Sequence, residues 1–584
     1  MNAFERFHHP IVQATSVSAR LLPVLLCSML FACAGQVPPS GGPVDTTSPE
    51  IIRTEPDTNA VRVNSERIVL EFSEYVDRRS VEESIFISPY VGELEFDWSG
   101  TEVTIRFGEK LKANTTYVVN IGTDVTDVRA RNRMAHGYTL AFSTGERIDQ
   151  GFIAGKVFDP KPEGVMLFAY ALSGMNPDTL DPTRTKPDYI MQTGKDGSFT
   201  FSNIRFDTYR LFAVRDQYRN LLYDKQVDEI GVPTNDVTVN AEQPRVGGVW
   251  FRLFSEDTTG PLLTRVAALS RRHLQLRFSE PLDSAAFTRT RILIRDTLTL
   301  EPIGVMMQSL DRGDSTAVHV LTASPLDTTK MYRVTVEGAA DRSGNIMRPA
   351  HAQFDVSGQA PWDTVKPLVT LVGLRDSVTD IPLDAPLEVR FSEPVQARAA
   401  SAAASLMDSA GGIIPIAITW QAANAMIVTA SRPFASRAWY TFRMVLDSVR
   451  DFWGNAYKDS VLSIRFRSLD VKTTGTIEGR VMDDEKGDAQ GNIVLTATRV
   501  ASSPSLQKHL ILREPGGFML ELLPEGLYTL QAYRDRDSSG SYTFGSPHPF
   551  RRAERFVVYA DTLKVRARWG VEGVTVRFKK LPGR

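Results

Sequence analysis

The chain has 584 residues, 67 Lys and Arg against 69 Asp and Glu, and a formal net charge of −2. That balance excludes the basic surface that nucleic-acid binding needs, and it gives no electrostatic pull towards an anionic bilayer face. Only two cysteines occur, Cys27 and Cys33, so the body of the chain has neither a disulfide framework nor a cysteine-bearing metal site. At about 100–200 residues per domain, the length predicts roughly three to six domains.

Residues 1–32 read as an export signal. A basic segment ends at Arg20, and the apolar run from Leu21 to Ala32 is too short to span a bilayer comfortably but fits a signal-peptide core. It closes on Leu30-Phe31-Ala32-Cys33, which resembles the bacterial lipobox. The resemblance implies cleavage before Cys33 and acylation of that cysteine, palmitate included, with more than one acyl chain and therefore stable anchoring in the membrane. A secretory signal cut elsewhere and an N-terminal membrane helix are the competing readings. Cys27 follows the bulky Leu26 and is set aside as the anchor. Residues 33–47 are rich in Gly and Pro and form a flexible tether that cannot pack a core.

One phrase then occurs three times: Ile68-Val-Leu-Glu-Phe72-Ser73-Glu74, Leu274-Gln-Leu-Arg-Phe278-Ser279-Glu280 and Leu387-Glu-Val-Arg-Phe391-Ser392-Glu393. Apolar residues at every second position predict a β-strand with one buried face. Pro281 and Pro394 are expected to stop the second and third copies. Asp-Thr-x-x-Pro precedes each copy, opening at Asp45, Asp257 and Asp363. Further on, an apolar residue stands six before a tyrosine: Leu111 and Tyr117, Leu326 and Tyr332, Phe434 and Tyr440. A turn follows, from Asp341 to Asn345 and from Asp451 to Asn455, with a version lacking glycine from Asp127 to Asn132. An alternating strand through Phe142, Val356 or Phe466 closes each unit. The alanine-rich stretch from Ala397 to Ala404 predicts a short helix.

The tyrosine spacing resembles the tyrosine corner of β-sandwich domains. The whole units, residues 48–146, 258–357 and 363–468, resemble the bacterial Ig-like domain of S-layer proteins and of Bacteroidetes lipoproteins. That resemblance implies seven-stranded sandwiches and no catalytic residues. Glu74, Glu280 and Glu393 fall in phase with the buried side and are expected to accept backbone N–H groups or an arginine contact. A catalytic acid is the weaker reading, because isolated carboxylates on three domains do not make a pair.

Residues 150–250 and 474–584 form a second class. Gly151-Phe-Ile-Ala-Gly-Lys-Val157 matches Gly475-Thr-Ile-Glu-Gly-Arg-Val481, and the stretch from Tyr209 to Asp216 matches that from Tyr528 to Asp535. These units resemble the carboxypeptidase-regulatory, or prealbumin-like, β-sandwich, which implies a structural or spacing module. Asp535-Arg-Asp537-Ser-Ser539-Gly540 sets three oxygen side chains at alternate positions before a turn-making glycine, as Ca²⁺ loops begin. The twelfth position is Ser546 rather than a bidentate glutamate, and the sister copy has Tyr218 where Asp537 stands. A solvated hairpin turn is the preferred reading. Ca²⁺ at Asp535, Asp537 and Ser539 is the alternative, and no other cofactor is implied.

Of eight histidines, His8 and His9 lie in the signal; His136, His273, His319, His351, His509 and His548 are scattered, with no metal-ligand spacing. No phosphate-cradling loop or nucleophile elbow occurs. Arg312-Gly313-Asp314 spells an adhesion tripeptide of a kind that arises by chance. The resulting reading is all-β: a tandem array of Ig, prealbumin-like, Ig, Ig and prealbumin-like sandwiches, standing as a rod of independent modules on a lipid anchor.

The expected role is non-catalytic: adhesion, scaffolding, or contact with envelope proteins or glycans at the outer membrane. The periplasmic face is favoured because no acidic cluster follows Cys33. One alternative is a glycan-binding accessory lipoprotein of polysaccharide uptake, with aromatic platforms at Trp439 and Tyr440 or Phe452 and Trp453. The other is a hydrolase with a site between domains, which would show as a pocket of coupled titratable groups.

Overall fold

The computed structural model describes residues 45–359, 361–458, 460–485, 490–501 and 506–583. The export signal, Cys27 and Cys33 lie outside the described residues. Within them the strands build five two-sheet units, each around its own apolar core. No helix among the described residues is long and apolar enough to cross a membrane.

In the first, third and fourth units the repeated phrase is the second strand of a four-stranded sheet: Arg67–Phe72, His273–Phe278 and Leu387–Phe391. A second sheet faces each of them, as Ile85–Ser88, Thr116–Ile121 and Tyr138–Ser143 do in the first unit. The alternation is obeyed: Leu274, Leu276 and Phe278 are buried, while Arg277 points to solvent.

All three copies end at phenylalanine, although the first has Tyr75 where the others have proline. The shared cause is the serine. Its Oγ accepts from the backbone amide of Glu50 (3.0 Å), Leu262 (2.9 Å) or Leu368 (3.0 Å). Its own amide donates to the carbonyl of that same residue, which latches the strand end to the chain entering the unit. A short helix follows each phrase: Arg78–Glu82, Ser284–Phe287 and Ala397–Ala403. Asp77 and Asp283 cap the first two, accepting from Ser80 N and Ala286 N.

The tyrosine corners are present. Tyr117, Tyr332 and Tyr440 accept at the phenol oxygen from the amides of Lys112 (2.7 Å), Asp327 (2.8 Å) and Ala435 (2.7 Å). In each case the donor directly follows the apolar residue of the motif. Tyr209 and Tyr528 of the second class make the reverse bond, donating to the carbonyls of Arg205 (2.7 Å) and Pro524 (2.8 Å).

The second and fifth units share one topology. Gly151–Phe158 and Thr474–Asp483 each pair antiparallel on one side and parallel on the other. The matched glycines are explained there: a Cβ on Gly155 or Gly479 would strike the carbonyl of Val249 or Val574.

The picture of independent modules in a row needs correction, because the fifth unit returns to the second. Phe556 lies edge-on to Phe158, with centroids 5.4 Å apart, and Phe544 sits 5.0 Å from Phe254. The Arg252 guanidinium lies 4.3 Å from the Phe556 ring and 4.8 Å from the Tyr542 ring, and donates to Gln531 Oε1 at 2.8 Å. Phe550 covers the Arg210 guanidinium at 3.5 Å. Asn235 Nδ2 donates to the Pro582 carbonyl at 2.7 Å. Burying aromatic surface against cations supplies the attraction.

Neighbouring units are also joined. Asn120 Nδ2 donates to the Ile190 carbonyl at 2.8 Å, and Arg219 pairs with Glu83 at 2.6 Å. Between the third and fourth units, Asn424 Nδ2 donates to Asp311 (3.0 Å) and the Ala423 amide to Ser309 Oγ (2.9 Å). The Arg312-Gly313-Asp314 tripeptide belongs to that junction: the Arg312 amide donates to Asn424 Oδ1 at 3.2 Å, and its guanidinium lies 3.7 Å from Glu388.

Candidate functional site

The three motif acids of each Ig-like unit, far apart in sequence, converge at one end of the sandwich. The opening aspartate, the phrase glutamate and the turn aspartate meet as Asp45, Glu74 and Asp127, then Asp257, Glu280 and Asp341, then Asp363, Glu393 and Asp451. The turn aspartates are fully employed. Asp451 accepts from the Trp453 amide (2.8 Å), the Asn455 amide (2.8 Å) and Asn455 Nδ2 (2.7 Å). The turn asparagine then ties in the opening segment: Asn132, Asn345 and Asn455 donate through Nδ2 to the carbonyls of Asp45, Asp257 and Asp363 at 3.0, 3.0 and 2.9 Å. In the turn without glycine, Arg131 adopts φ 61°, the left-handed conformation that Gly344 and Gly454 take in the other copies.

The glutamates depart from expectation. Among the described residues, no backbone amide or arginine hydrogen-bonds to Glu74, Glu280 or Glu393; carboxylates are near all three, and Glu74 alone of them also has an arginine, Arg129, acting on it. Burial, then Asp127 and Asp45, raise the pKa of Glu74, with Arg129 pulling it back. Burial, then Asp257 and Asp341, raise that of Glu280. For Glu393, burial followed by Asp363 and Asp451 pushes the value up to about 8.

The clusters differ in surroundings. In the third unit Asp257 is exposed and Glu280 half-buried, so water reaches them. In the fourth unit Glu393 retains 8% exposure, and the third unit contributes His273, whose side chain is 3% exposed. Ligand atoms of His273, Asp363 and Glu393 all lie within 4.8 Å of one another, with His273 Nδ1 4.0 Å from Asp363 Oδ2. At that spacing two ionised carboxylates would repel by about 3–4 kcal/mol at an effective dielectric of about 20, so a proton or a cation has to offset them.

His273 belongs to a relay. Its Nε2 lies 2.9 Å from His319 Nδ1, and His319 Nε2 lies 3.2 Å from Asp311 Oδ2. Burial, then the neighbouring His319, lowers the His273 pKa to about 3, so its ring is neutral. Hydrogen bonds from His319 and Asn424, outweighing burial, hold Asp311 at about 2, ionised and able only to accept. The histidines looked scattered because they meet through pairing of the strands His273–Phe278 and Ala317–Thr322, which leaves no local spacing.

The acids of the fifth unit brace a loop. Asp535 accepts from the amides of Ser539 (3.0 Å) and Gly540 (3.1 Å), Asp537 from Thr543 Oγ1 (2.7 Å), and Ser539 donates to the Ser541 carbonyl (2.8 Å). Glu554 closes the loop by accepting from the amides of Arg536 (2.6 Å) and Thr543 (3.0 Å). Glu554 brings a third carboxylate oxygen within 4.8 Å of those of Asp535 and Asp537. This loop carries Tyr542, Phe544 and Phe550 onto the second unit. The aromatic pairs of the fourth unit do not form an open platform: Tyr440 is in the core, Trp439 lies under Arg465 at 4.3 Å, and Trp453 under Arg272 at 4.9 Å.

Sandwich topology, tyrosine corners and the repeated serine latch define a multi-domain Ig-like β protein. Residues 45–144 and 363–468 match the family model of the bacterial Ig-like domain, and residues 258–357 build a four-stranded sheet of the same order faced by a second sheet. Similar solved structures include L,D-transpeptidase 3 from Mycobacterium tuberculosis, at 13% identity over 26% of this chain and 47% of that one, TM-score 0.14. The N-terminal part of the bacterial S-layer protein SbsC is 12% identical over 36% of this chain and 44% of its own, TM-score 0.16. Domains 1–6 of SbsC are 8% identical over 89% of this chain and 67% of theirs, also at TM-score 0.16. The chain thus spans about half the length of the first two, and scores this low carry no functional implication. Among curated proteins, none matches the sequence.

Proposed function

We propose that the chain is a non-catalytic envelope lipoprotein, held at the outer membrane by acyl chains on Cys33, whose sandwiches form a scaffold for contact with other envelope proteins or glycans. One observation carries this reading. The fifth unit closes back on the second through Arg252, Phe544, Phe550 and Phe556, while the repeated motif residues around the cores latch, cap and brace. Such a chain holds surfaces in fixed relation, which is the task of a scaffold. The motif Leu30-Phe31-Ala32-Cys33 supports the anchor, and two acyl chains suffice for stable attachment.

The test is fractionation of cells expressing the full-length chain and a Cys33→Ala variant, with mass spectrometry of the mature N-terminus. Acylated Cys33 with membrane partition, lost in the variant, is the expected result. Unmodified Cys33 in the soluble fraction would refute the anchor. Protease treatment of intact cells then reports the face: an undigested chain means periplasmic.

A further inference from the structure

We propose that the junction of the third and fourth units holds one divalent metal ion of the Zn²⁺ class, ligated by His273 Nδ1 and by carboxylate oxygens of Asp363 and Glu393. The three ligand groups come from two domains and converge within 4.8 Å. Zn²⁺ needs ligand distances of about 2.0–2.2 Å, so inward side-chain shifts of about 1 Å would close the shell.

The hydrogen-bond relay fixes which atom of His273 faces the cluster. Asp311 can only accept, so His319 Nε2 carries the hydrogen that bonds to it. That placement leaves His319 Nδ1 to accept and His273 Nε2 to donate, at 2.9 Å. His273 Nδ1 is left with a bare lone pair directed at two carboxylates. This is the arrangement by which an outer acid orients a ligating imidazole.

A second observation is independent of the histidines. Glu393 is more than nine-tenths buried, yet it accepts no hydrogen bond from any described residue. A cation between Nδ1 and the two carboxylates would engage all three at once, with Asp363 Oδ1 keeping the Val365 amide at 3.0 Å. One imidazole nitrogen with carboxylates suits Zn²⁺ better than Ca²⁺, which takes oxygen ligands. Near-complete burial restricts the ligand to an ion with at most a water. The sister cluster of Asp257, Glu280 and Asp341 supplies no nitrogen and stands open to solvent, so it is the internal control. A metal at His273 would clamp one unit to the next.

The experiment titrates Zn²⁺ into chelator-stripped, full-length protein by calorimetry at neutral pH, beside Asp257→Asn, His273→Ala and Glu393→Gln, with melting temperatures measured in chelator and in Zn²⁺. A single tight equivalent is expected in the wild type and in Asp257→Asn. Both junction variants should weaken it about tenfold or more, and Zn²⁺ should raise the melting temperature only where it binds tightly. Glu393→Gln keeps shape and hydrogen-bonding capacity, and an unreduced melting temperature in chelator shows that it folds. Absence of a tight equivalent in the wild type, or retention of its affinity in either junction variant, overturns the proposal.

Discussion

Two of the junctions in this chain are built from opposite chemistry. The fifth unit meets the second through rings and guanidinium groups: Phe556 and Tyr542 around Arg252, and Phe550 over Arg210. The third unit meets the fourth through His273, Asp363, Asn424 and Asp311. Apolar contact is insensitive to protons and ions and scales with area removed from water. Buried carboxylates stabilise only when something neutralises them. One junction is therefore a permanent clasp, and the other is responsive to its conditions.

The largest effects are expected at the clasp. Phe556→Ala or Phe550→Ala should destabilise by about 2–4 kcal/mol, equally at acid and alkaline pH, measured by denaturant unfolding of the full chain. A strong pH dependence there would erase the contrast. Next comes Glu393→Gln. The folded carboxyl keeps its proton up to about 8 against an ordinary 4.5, so the unfolded chain is the stronger acid. Stability is therefore lost as pH rises between about 4.5 and 8, in chelator. The glutamine variant should gain roughly 2–3 kcal/mol at the alkaline end and nothing at the acid end, read by hydrogen exchange in the strands of the fourth unit; a flat difference would contradict it.

Asn455→Ala removes the ties to the Asp363 carbonyl and to Asp451, and should cost about 1–2 kcal/mol in the same exchange measurement. The smallest change is expected for Glu280→Gln. Its cluster is open to water, so its pH-dependent gain should stay below about 1 kcal/mol. Equal gains for Glu280→Gln and Glu393→Gln would mean that the neighbouring domain does nothing to the cluster.

Features with a local cause were legible in the sequence. Alternation gave the buried faces of Leu274, Leu276 and Phe278, and a fixed spacing announced the corners at Tyr117, Tyr332 and Tyr440. The serine of the phrase was harder, since its partner lies in the entering segment. The meeting of Asp363, Glu393 and Asp451 depends on tertiary closure, yet a trace was visible: an acid recurs at the same three places in every copy. The joining of His273 to His319 and Asp363 left no such trace, because strand pairing and domain contact bring them together. Nor was the clasp legible, apart from the density of aromatics at Tyr542, Phe544, Phe550 and Phe556. Asp535 ends the strand Gly526–Asp535 and the loop with Asp537 and Ser539 follows it, but the part this loop plays in holding those rings is a property of the assembled chain.

The return of the fifth unit to the second can be measured as a distance. Thr234 and Lys580 line one crevice between them, and Cys27 and Cys33 are the only native cysteines. Spin labels at Thr234→Cys and Lys580→Cys, with both native cysteines changed to serine, should give a narrow distribution below about 30 Å. Units arranged in a row would place two domains of about 100 residues between the labels and give a broad distribution beyond about 50 Å, which would contradict the closed frame.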